Sequence, residues 1–459
     1  MTLSEYLYCR KNLNKVLHTT LNPYEPGVVR IHLIPAKLNL LKTKPSLVIL
    51  NGKDIIPINL AWTIMLSMFI EKINEYEGKE ITQEEIEKIK KEISIRMSKI
   101  YCFTKKKRFI IDLDILIGTL SDVALGREVK VNIGQLSISK YSKNMLAPHR
   151  MDLMISSMQK DGIWNCNQKC IHCYAAGQVY AETKELSTEE WKKVIDKCKV
   201  SYIPQLTFTG GEPTKREDLV ELIDYSKWFI TRLNTNGVLL TEELCRKLYD
   251  ASLDSVQVTL YSNIPEIHNK LVGANNFEKT VEGIKNAVKA NLNVSINTPL
   301  CKLNSDYEET LKFANELGIK YVTCSGLIVT GNALNKESKD TQLKENELLE
   351  ILIKAKKYTD ENLMEIDFTS PGWVQGYELK KLGMNIPSCG ACLSNMAIAP
   401  DGQIVPCQSW LNNEAGLGNM LQDKWEKVWN SEKCKKIRIY SCKNINKCPL
   451  KEATKWKNV

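Results

Sequence analysis

From Arg150 to Thr330, apolar runs of strand length alternate with amphipathic stretches of helix length. M-D-L-M-I-S-S, Q-L-T-F-T-G-G, F-I-T-R-L-N-T-N-G, S-V-Q-V-T-L-Y-S, N-V-S-I-N-T-P-L and Y-V-T-C-S-G-L-I-V-T-G read as strands. Between them, L-S-T-E-E-W-K-K-V-I-D-K-C and T-E-E-L-C-R-K-L-Y open on capping residues and read as helices. Repeated β-α units with short connections predict parallel strands covered by helices, as a barrel or an open sheet. In either arrangement the loops after the strands share one rim, where chemistry is normally built.

The flanking regions differ. From about Tyr24 to Ile117, V-V-R-I-H-L-I, S-L-V-I-L-N and I-I-P-I predict short strands, with a turn at G-K-D. An apolar helix follows from Leu60, and a capped helix begins at Thr82 with Glu85 three residues on. F-I-I-D-L-D-I-L, after the basic patch Lys105–Arg108, reads as a strand. A helical stretch from Glu345 to Thr359 and a looser segment through Pro371 lead to a cysteine-rich end. The expected organisation is an N-terminal module (1–120), an alternating core (150–335), a helical linker (336–385) and a C-terminal domain (386–459), with no internal repeat.

The composition, 43% hydrophobic and 25% charged, is that of a globular protein. The apolar run Leu60–Ile70 is too short to span a bilayer, and the N-terminus does not read as a signal peptide, so a cytoplasmic protein without membrane contact is expected. In a reducing compartment the 15 cysteines point to metal or catalysis rather than disulfides. Six are scattered singly (Cys9, Cys102, Cys198, Cys245, Cys301, Cys324) and the other nine fall in two groups. The net charge of +9 is concentrated at the C-terminus, where nine Lys and Arg face two Glu from Ser431 onward. No aromatic interleaving accompanies that tail, so nucleic acid is not the expected partner.

The first cysteine group is Cys166, Cys170 and Cys173, spaced C-x3-C-x2-C. Zinc wants four ligands; His172 is the local candidate, but the spacing fits no common finger. An iron–sulfur cube held by three thiolates instead leaves one iron open to an external molecule, as a catalytic cluster requires. Gly210–Pro213, G-G-E-P, closes the second strand of the alternating region. It reads either as a strand-to-helix turn or as a site where a carboxylate meets a cationic amino group.

Together, C-x3-C-x2-C and G-G-E-P one β-α unit later resemble the radical SAM superfamily. The resemblance implies a partial (β/α)6 barrel and a [4Fe-4S] cluster on Cys166, Cys170 and Cys173. It implies that S-adenosylmethionine chelates the open iron, is cleaved by one electron from a reductant such as flavodoxin or ferredoxin, and yields a 5′-deoxyadenosyl radical that abstracts hydrogen from substrate. It places His172 beside the adenine, Gly210, Gly211, Glu212 and Pro213 in the turn that meets the methionyl amine, and Thr259, Ser262 and Asn297 along the ribose and substrate pocket. Gly326–Gly331 would pack near adenine. One departure stands out: relatives carry H-D-x-x-R-G where this chain has His268-Asn-Lys-Leu-Val-Gly273, with Val272 in place of arginine.

The second group begins with Cys389-x2-Cys392 and a hairpin turning at Asp401-Gly402 and ending at Cys407. It resembles the SPASM or twitch auxiliary-cluster domain. That resemblance implies an auxiliary [4Fe-4S] cluster on Cys389, Cys392 and Cys407, with Cys442, Cys448 or substrate as fourth ligand. Ile439 and Glu452 occupy positions where a full SPASM pattern has cysteine, so Cys434, Cys442 and Cys448 stand equally as structural thiols. The strand-then-helix order of the N-terminal module resembles the PqqD-like, winged-helix-like α+β element that binds a precursor's leader peptide as an added strand; a barrel-capping extension is the alternative. The three resemblances together imply a peptide maturase that crosslinks or epimerises a ribosomally made precursor. For epimerisation, Cys301, Cys324 and Cys392 are candidate hydrogen donors. A radical SAM enzyme acting on a small metabolite or folded protein, and a non-catalytic iron–sulfur carrier, are the rivals.

Overall fold

The structure, a computed structural model, describes residues 1–21, 29–36, 45–51, 54–76, 79–125, 127, 129, 142 and 145–451. These divide into two compact units, Met1–Leu146 and Ala147–Val459.

In the first unit, α1 (Leu3–Asn12) precedes an antiparallel sheet of β1 (Leu17–Leu21), β2 (Val29–Ile34), β3 (Ser46–Leu50) and β4 (Asp54–Ile58), paired in that order. All five β3 residues are buried, matching the continuous apolar run S-L-V-I-L. Three helices follow: α2 (Leu60–Asn74), α3 (Gln83–Ile100) and α4 (Lys106–Ala124). Asn59 caps α2 through Trp62 N, and the predicted capping box of Thr82 with Glu85 opens α3. The expected G-K-D turn includes Gly52 and Lys53, which lie outside the described residues.

The stretch F-I-I-D-L-D-I-L corrects the sequence reading: it lies within α4, not in a strand. Its local I-D-L-D-I alternation imitates a strand, but the buried set Phe109, Leu113, Leu116 and Leu120 repeats every three to four residues. Arg108 and Asp112, one helical turn apart, form an ion pair at 3.0 Å.

The second unit is built on one sheet. Its parallel strands are β5 (Arg150–Ser156), then, past a small hairpin of β6 (Gln159–Lys160) and β7 (Ile163–Trp164), β8 (Gln205–Gly210), β9 (Ile230–Thr235), β10 (Ser255–Thr259), β11 (Val294–Pro299), β12 (Tyr321–Ser325) and β13 (Glu365–Phe368). The first six with their helices are the expected partial (β/α)6 barrel, and β13 extends it past β12. At the other edge β14 (Asn395–Ile398) pairs parallel with β5, and β15 (Gln403–Val405) and β16 (Gly418–Asn419) continue antiparallel. The C-terminal hairpin is therefore hydrogen-bonded into the barrel sheet, next to the strand that leads into Cys166. Among the described residues no helix is long and apolar enough to cross a membrane.

His149 and His268 are buried in this unit, and burial lowers each imidazole pKa to about 4. Both are neutral when folded but take a proton near pH 6.5 when unfolded. Their contribution is thus complete above about pH 6.5 and is lost as pH falls from there toward 4, at about 3 kcal/mol per group. The thermal midpoint should drop over that window, and His268→Gln should flatten part of the drop.

Candidate active site

The cysteine loop leaves the β6–β7 hairpin and is held through its own backbone groups by side-chain and backbone partners. Trp164 Nε1 donates to Gln168 O at 2.8 Å, while Lys169 N and Ile171 N donate to Val272 O and Leu271 O at 2.9 and 3.0 Å. From the far side Asn332 donates through N to Cys173 O and through Nδ2 to Cys170 O, and Ser338 Oγ donates to Ile171 O. Two glycines let neighbouring loops approach this closely: a Cβ on Gly273 would lie 2.5 Å from Lys169 O, and one on Gly331 2.4 Å from Tyr174 O.

Val272 explains the missing arginine. It is buried in an apolar cluster with Tyr261, Leu271, Cys301 and Leu327, against which Cys170 and Ile171 pack. Packing and two backbone hydrogen bonds carry the loop here. Val272→Arg would bury a guanidinium with no partner in that cluster, so a loss of roughly 3 kcal/mol or more is expected. Thermal melting and iron per chain would both show it.

The three thiols face a cavity of about 620 Å³ lined also by Gly210, Gly211, Glu212, Thr259, Asn297 and Gly326. Burial, and then the neighbouring thiols, push Cys170 well above its ordinary value, and burial pushes Cys166 up to about 12 and Cys173 upward. Thiolates at this place therefore require a positive partner. Among the described residues no three His, Cys, Asp or Glu side chains gather closely enough for a single ion. Three thiols on one short loop facing a cavity are the donor set of a cube with one iron left open. The cavity also holds buried polar atoms without a partner: His172 Nδ1, Gln168 Nε2, Thr207 Oγ1 and Asn234 Oδ1. Such groups are costly unless a polar ligand meets them; His172 Nδ1 and Gln168 Nε2 lie on the cysteine loop itself, where S-adenosylmethionine would be bound.

His172 donates or accepts through Nε2 with Thr341 Oγ1 at 2.8 Å, and burial lowers its pKa to about 4, so the ring is neutral. Glu212 is buried and fully engaged. Oε1 accepts from Thr214 N, Thr214 Oγ1 and Thr235 Oγ1, and Oε2 accepts from Asn236 N at 2.9 Å. Burial raises its carboxyl pKa against these bonds. Gly211 N and Glu212 N both donate to Ser156, so the turn ties β8 to β5 and β9 before it offers anything to a ligand. Asn297 Oδ1 accepts from Thr323 Oγ1, and Gly326 lies against the Trp373 ring.

Other sequence candidates lie off the cavity wall. Pro213 is buried at the start of a short helical turn, and Ser262 Oγ accepts from Ile264 N beside the next helix. Cys301 and Cys324 are buried away from the lining, the first in the apolar cluster and the second beside Tyr307. Neither is presented to a ligand in the cavity.

The C-terminal cysteines regroup. Cys389, Cys407 and Cys448 line the same cavity as the loop thiols. Cys389 and Cys448 share a hydrogen bond that raises Cys389 and holds Cys448 down to about 7, and burial pushes Cys407 up to about 12. Cys392, expected with Cys389 and Cys407, adopts a φ of 52° and turns instead to Cys434, near Arg438. Arg438 stacks on Trp429 at 3.7 Å and donates to Cys434 Sγ. Cys442 is half-buried outside the cavity lining. The basic tail's Lys455 and Lys457 lie outside the described residues.

Sequence reading missed several residues that shape the site. Asn236, in T-N-G after β9, contacts Cys166 Sγ and Asn167 Oδ1; a polar residue just past a barrel strand was the available signal. Arg232, a charge at an inward strand position, was another. Thr341 and Trp373 carried no signal, because their sites depend on chain far from the cysteine motif.

Residues 165–314 match the Radical SAM superfamily, and residues 389–450 match SPASM, an iron–sulfur cluster-binding domain. The chain thus carries a radical SAM domain followed by a SPASM domain. These domains imply a [4Fe-4S] cluster, S-adenosylmethionine and auxiliary iron–sulfur. Among curated proteins it is 35% identical over 157 residues to a probable GTP 3′,8-cyclase of Thermococcus kodakarensis, covering 33% of this chain and 51% of that one. It is 32% identical over 192 residues to an Fe-coproporphyrin III synthase of Methanosarcina barkeri, covering 40% and 48%. The chain thus spans about half the length of these relatives. Among solved structures, Streptococcus suis SuiB bound to precursor peptide SuiA is similar with a TM-score of 0.59 at 14% identity, over 93% of this chain and 89% of that one. At that identity the likeness is one of fold.

Proposed function

We propose that this chain is a peptide maturase that abstracts hydrogen from a ribosomally made precursor peptide and so installs a crosslink or an inverted centre. The observation that carries the reading is one cavity onto which two separate groups of three thiols open, Cys166, Cys170, Cys173 and Cys389, Cys407, Cys448. When bound, the cluster and S-adenosylmethionine supply the 5′-deoxyadenosyl radical, with electrons from a flavodoxin or ferredoxin. The protein's own part is to hold thiolates at the loop, to present neutral His172 and Asn236 beside it, and to keep Glu212 as the tie between strand ends. Cys389, Cys407 and Cys448 hold auxiliary iron–sulfur. The first unit, 1–120 in its sequence bounds, binds the leader peptide by strand addition to an edge of the β1–β4 sheet.

The fold-level likeness to SuiB over both units supports a peptide substrate. The relatives named for GTP and coproporphyrin support the second reading, a small-molecule substrate. Anaerobic reconstitution followed by assay for 5′-deoxyadenosine, with and without residues 1–120, separates the readings. Release from both forms, with modification of a genetically adjacent short peptide only by the full chain, is the expected result. Modification that survives the deletion would favour the small-molecule or folded-protein reading, and no 5′-deoxyadenosine at all would favour a carrier.

A further inference from the structure

The deep part of the cavity uses none of the cysteines. Across β5, β8, β9 and β10 the strand register sets Asp152, Thr207, Arg232 and Ser255 side by side. Arg150 and Arg232 both line the cavity here. Arg150 Nε pairs with buried Asp152 at 2.8 Å. Asp367 is engaged by the Tyr321 hydroxyl at 3.1 Å and by Asn385 at 3.2 Å. Arg232 is different. Its one hydrogen bond runs from Nε to Ser255 Oγ at a long 3.4 Å, and among the described residues its two terminal nitrogens have no acceptor. Burial, and then the nearby Arg150, work against its charge. Beside it, Thr207 Oγ1 and Asn234 Oδ1 are buried without partners.

We propose that Arg232, with Arg150 and Thr207, binds a carboxylate of the substrate: an acidic side chain of the peptide next to the residue that reacts. This rests on reading the cavity as a peptide-substrate site. A guanidinium with two terminal N–H groups free matches a carboxylate edge-on. Pairing sets the class. Arg150 is matched by Asp152, and Asp367 is held by Tyr321 and Asn385. Among the described residues Arg232 is thus the one guanidinium of the cavity lining without an anionic partner, which suits a monoanion rather than a phosphate dianion. Position separates this group from the cofactor end. Arg232 precedes Asn236, which touches the cysteine loop, by four residues, so at about 3.3 Å per residue it lies roughly 13 Å deeper.

The test is calorimetric titration of the anaerobically reconstituted full chain, saturated with S-adenosylmethionine, against four probes. These are N-acetylglutamate methylamide, its glutamine counterpart, butyrate and inorganic phosphate. The capped glutamate is expected to bind at least about tenfold tighter than the capped glutamine, and Arg232→Gln to abolish that preference. Equal binding of the two capped residues by the unaltered protein overturns the proposal without recourse to any variant. So does tighter binding of phosphate or butyrate, or an Arg232→Gln protein that keeps the preference. Modification of the genetically adjacent short peptide by the same preparation is scored separately, so failure of the peptide reading and failure of the carboxylate site give different results.

Discussion

Alanine at any one of Cys166, Cys170 or Cys173 is expected to strip iron and sulfide from the loop and to cut S-adenosylmethionine cleavage by roughly three orders of magnitude or more, the scale of losing a group essential to a reacting centre. The reason is the absence of redundancy. The loop offers three thiols and a cube with one open iron needs all three; of the other cysteines on the cavity wall, Cys389 and Cys448 are hydrogen-bonded to each other. Cys301→Ala and Cys324→Ala should behave oppositely. Each removes a small buried side chain off the cavity wall, at about 1 kcal/mol, with iron content and cleavage preserved. Iron per chain, acid-labile sulfide and 5′-deoxyadenosine yield, measured on all five variants, check this. A Cys301 variant that keeps its clusters yet loses product would show that the cavity opens toward that thiol during turnover.

What could be read in the sequence was what depends on short-range chemistry. Three thiols in eight residues declare a metal centre whatever surrounds them, and alternating apolar runs with capped helices declare parallel strands. The failures share a cause, dependence on distant chain. The spacing of Cys389 and Cys392 suggests a pair, yet the left-handed backbone at Cys392 sends its thiol to Cys434 while Cys448, more than fifty residues along, reaches Cys389. At Glu212 the sequence leaves a structural turn and an amine-binding carboxylate both open, because two of the donors that engage it, Thr235 and Asn236, arrive from the next strand. In α4 the alternation of Asp112 and Asp114 with apolar neighbours hid a helical repeat visible only over the longer stretch from Phe109 to Leu120. Strand β13 is four residues long and gains its place by pairing with β12, which no local pattern announces.

Gly210→Ala is the second large effect, and it tests what the G-G-E-P turn is for. Gly210 has a φ of 130°, where a side chain is strained, and a Cβ there would sit 2.2 Å from Ser156 O and 2.9 Å from Ser156 N. The obstacle is the backbone of β5, the strand that leads into the cysteine loop, so it cannot swing aside as a side chain would. Either β5 and β8 separate, breaking the hydrogen bonds of Gly211 N and Glu212 N to Ser156 at 2.8 Å each, or the turn changes conformation and Glu212 leaves Thr235 and Asn236. Both routes cost about 3 kcal/mol or more and move the loop that holds Cys166. Gly177→Ala supplies the control: its φ is also positive, at 69°, but nothing lies within 4 Å of the added carbon, so about 1 kcal/mol is expected from backbone strain alone. Denaturation midpoints together with iron content should therefore separate the two alanines. If Gly210→Ala melts with Gly177→Ala and keeps its iron, the close approach of β5 and β8 is not what the first glycine secures, and the turn's role passes to contact with a ligand in the cavity.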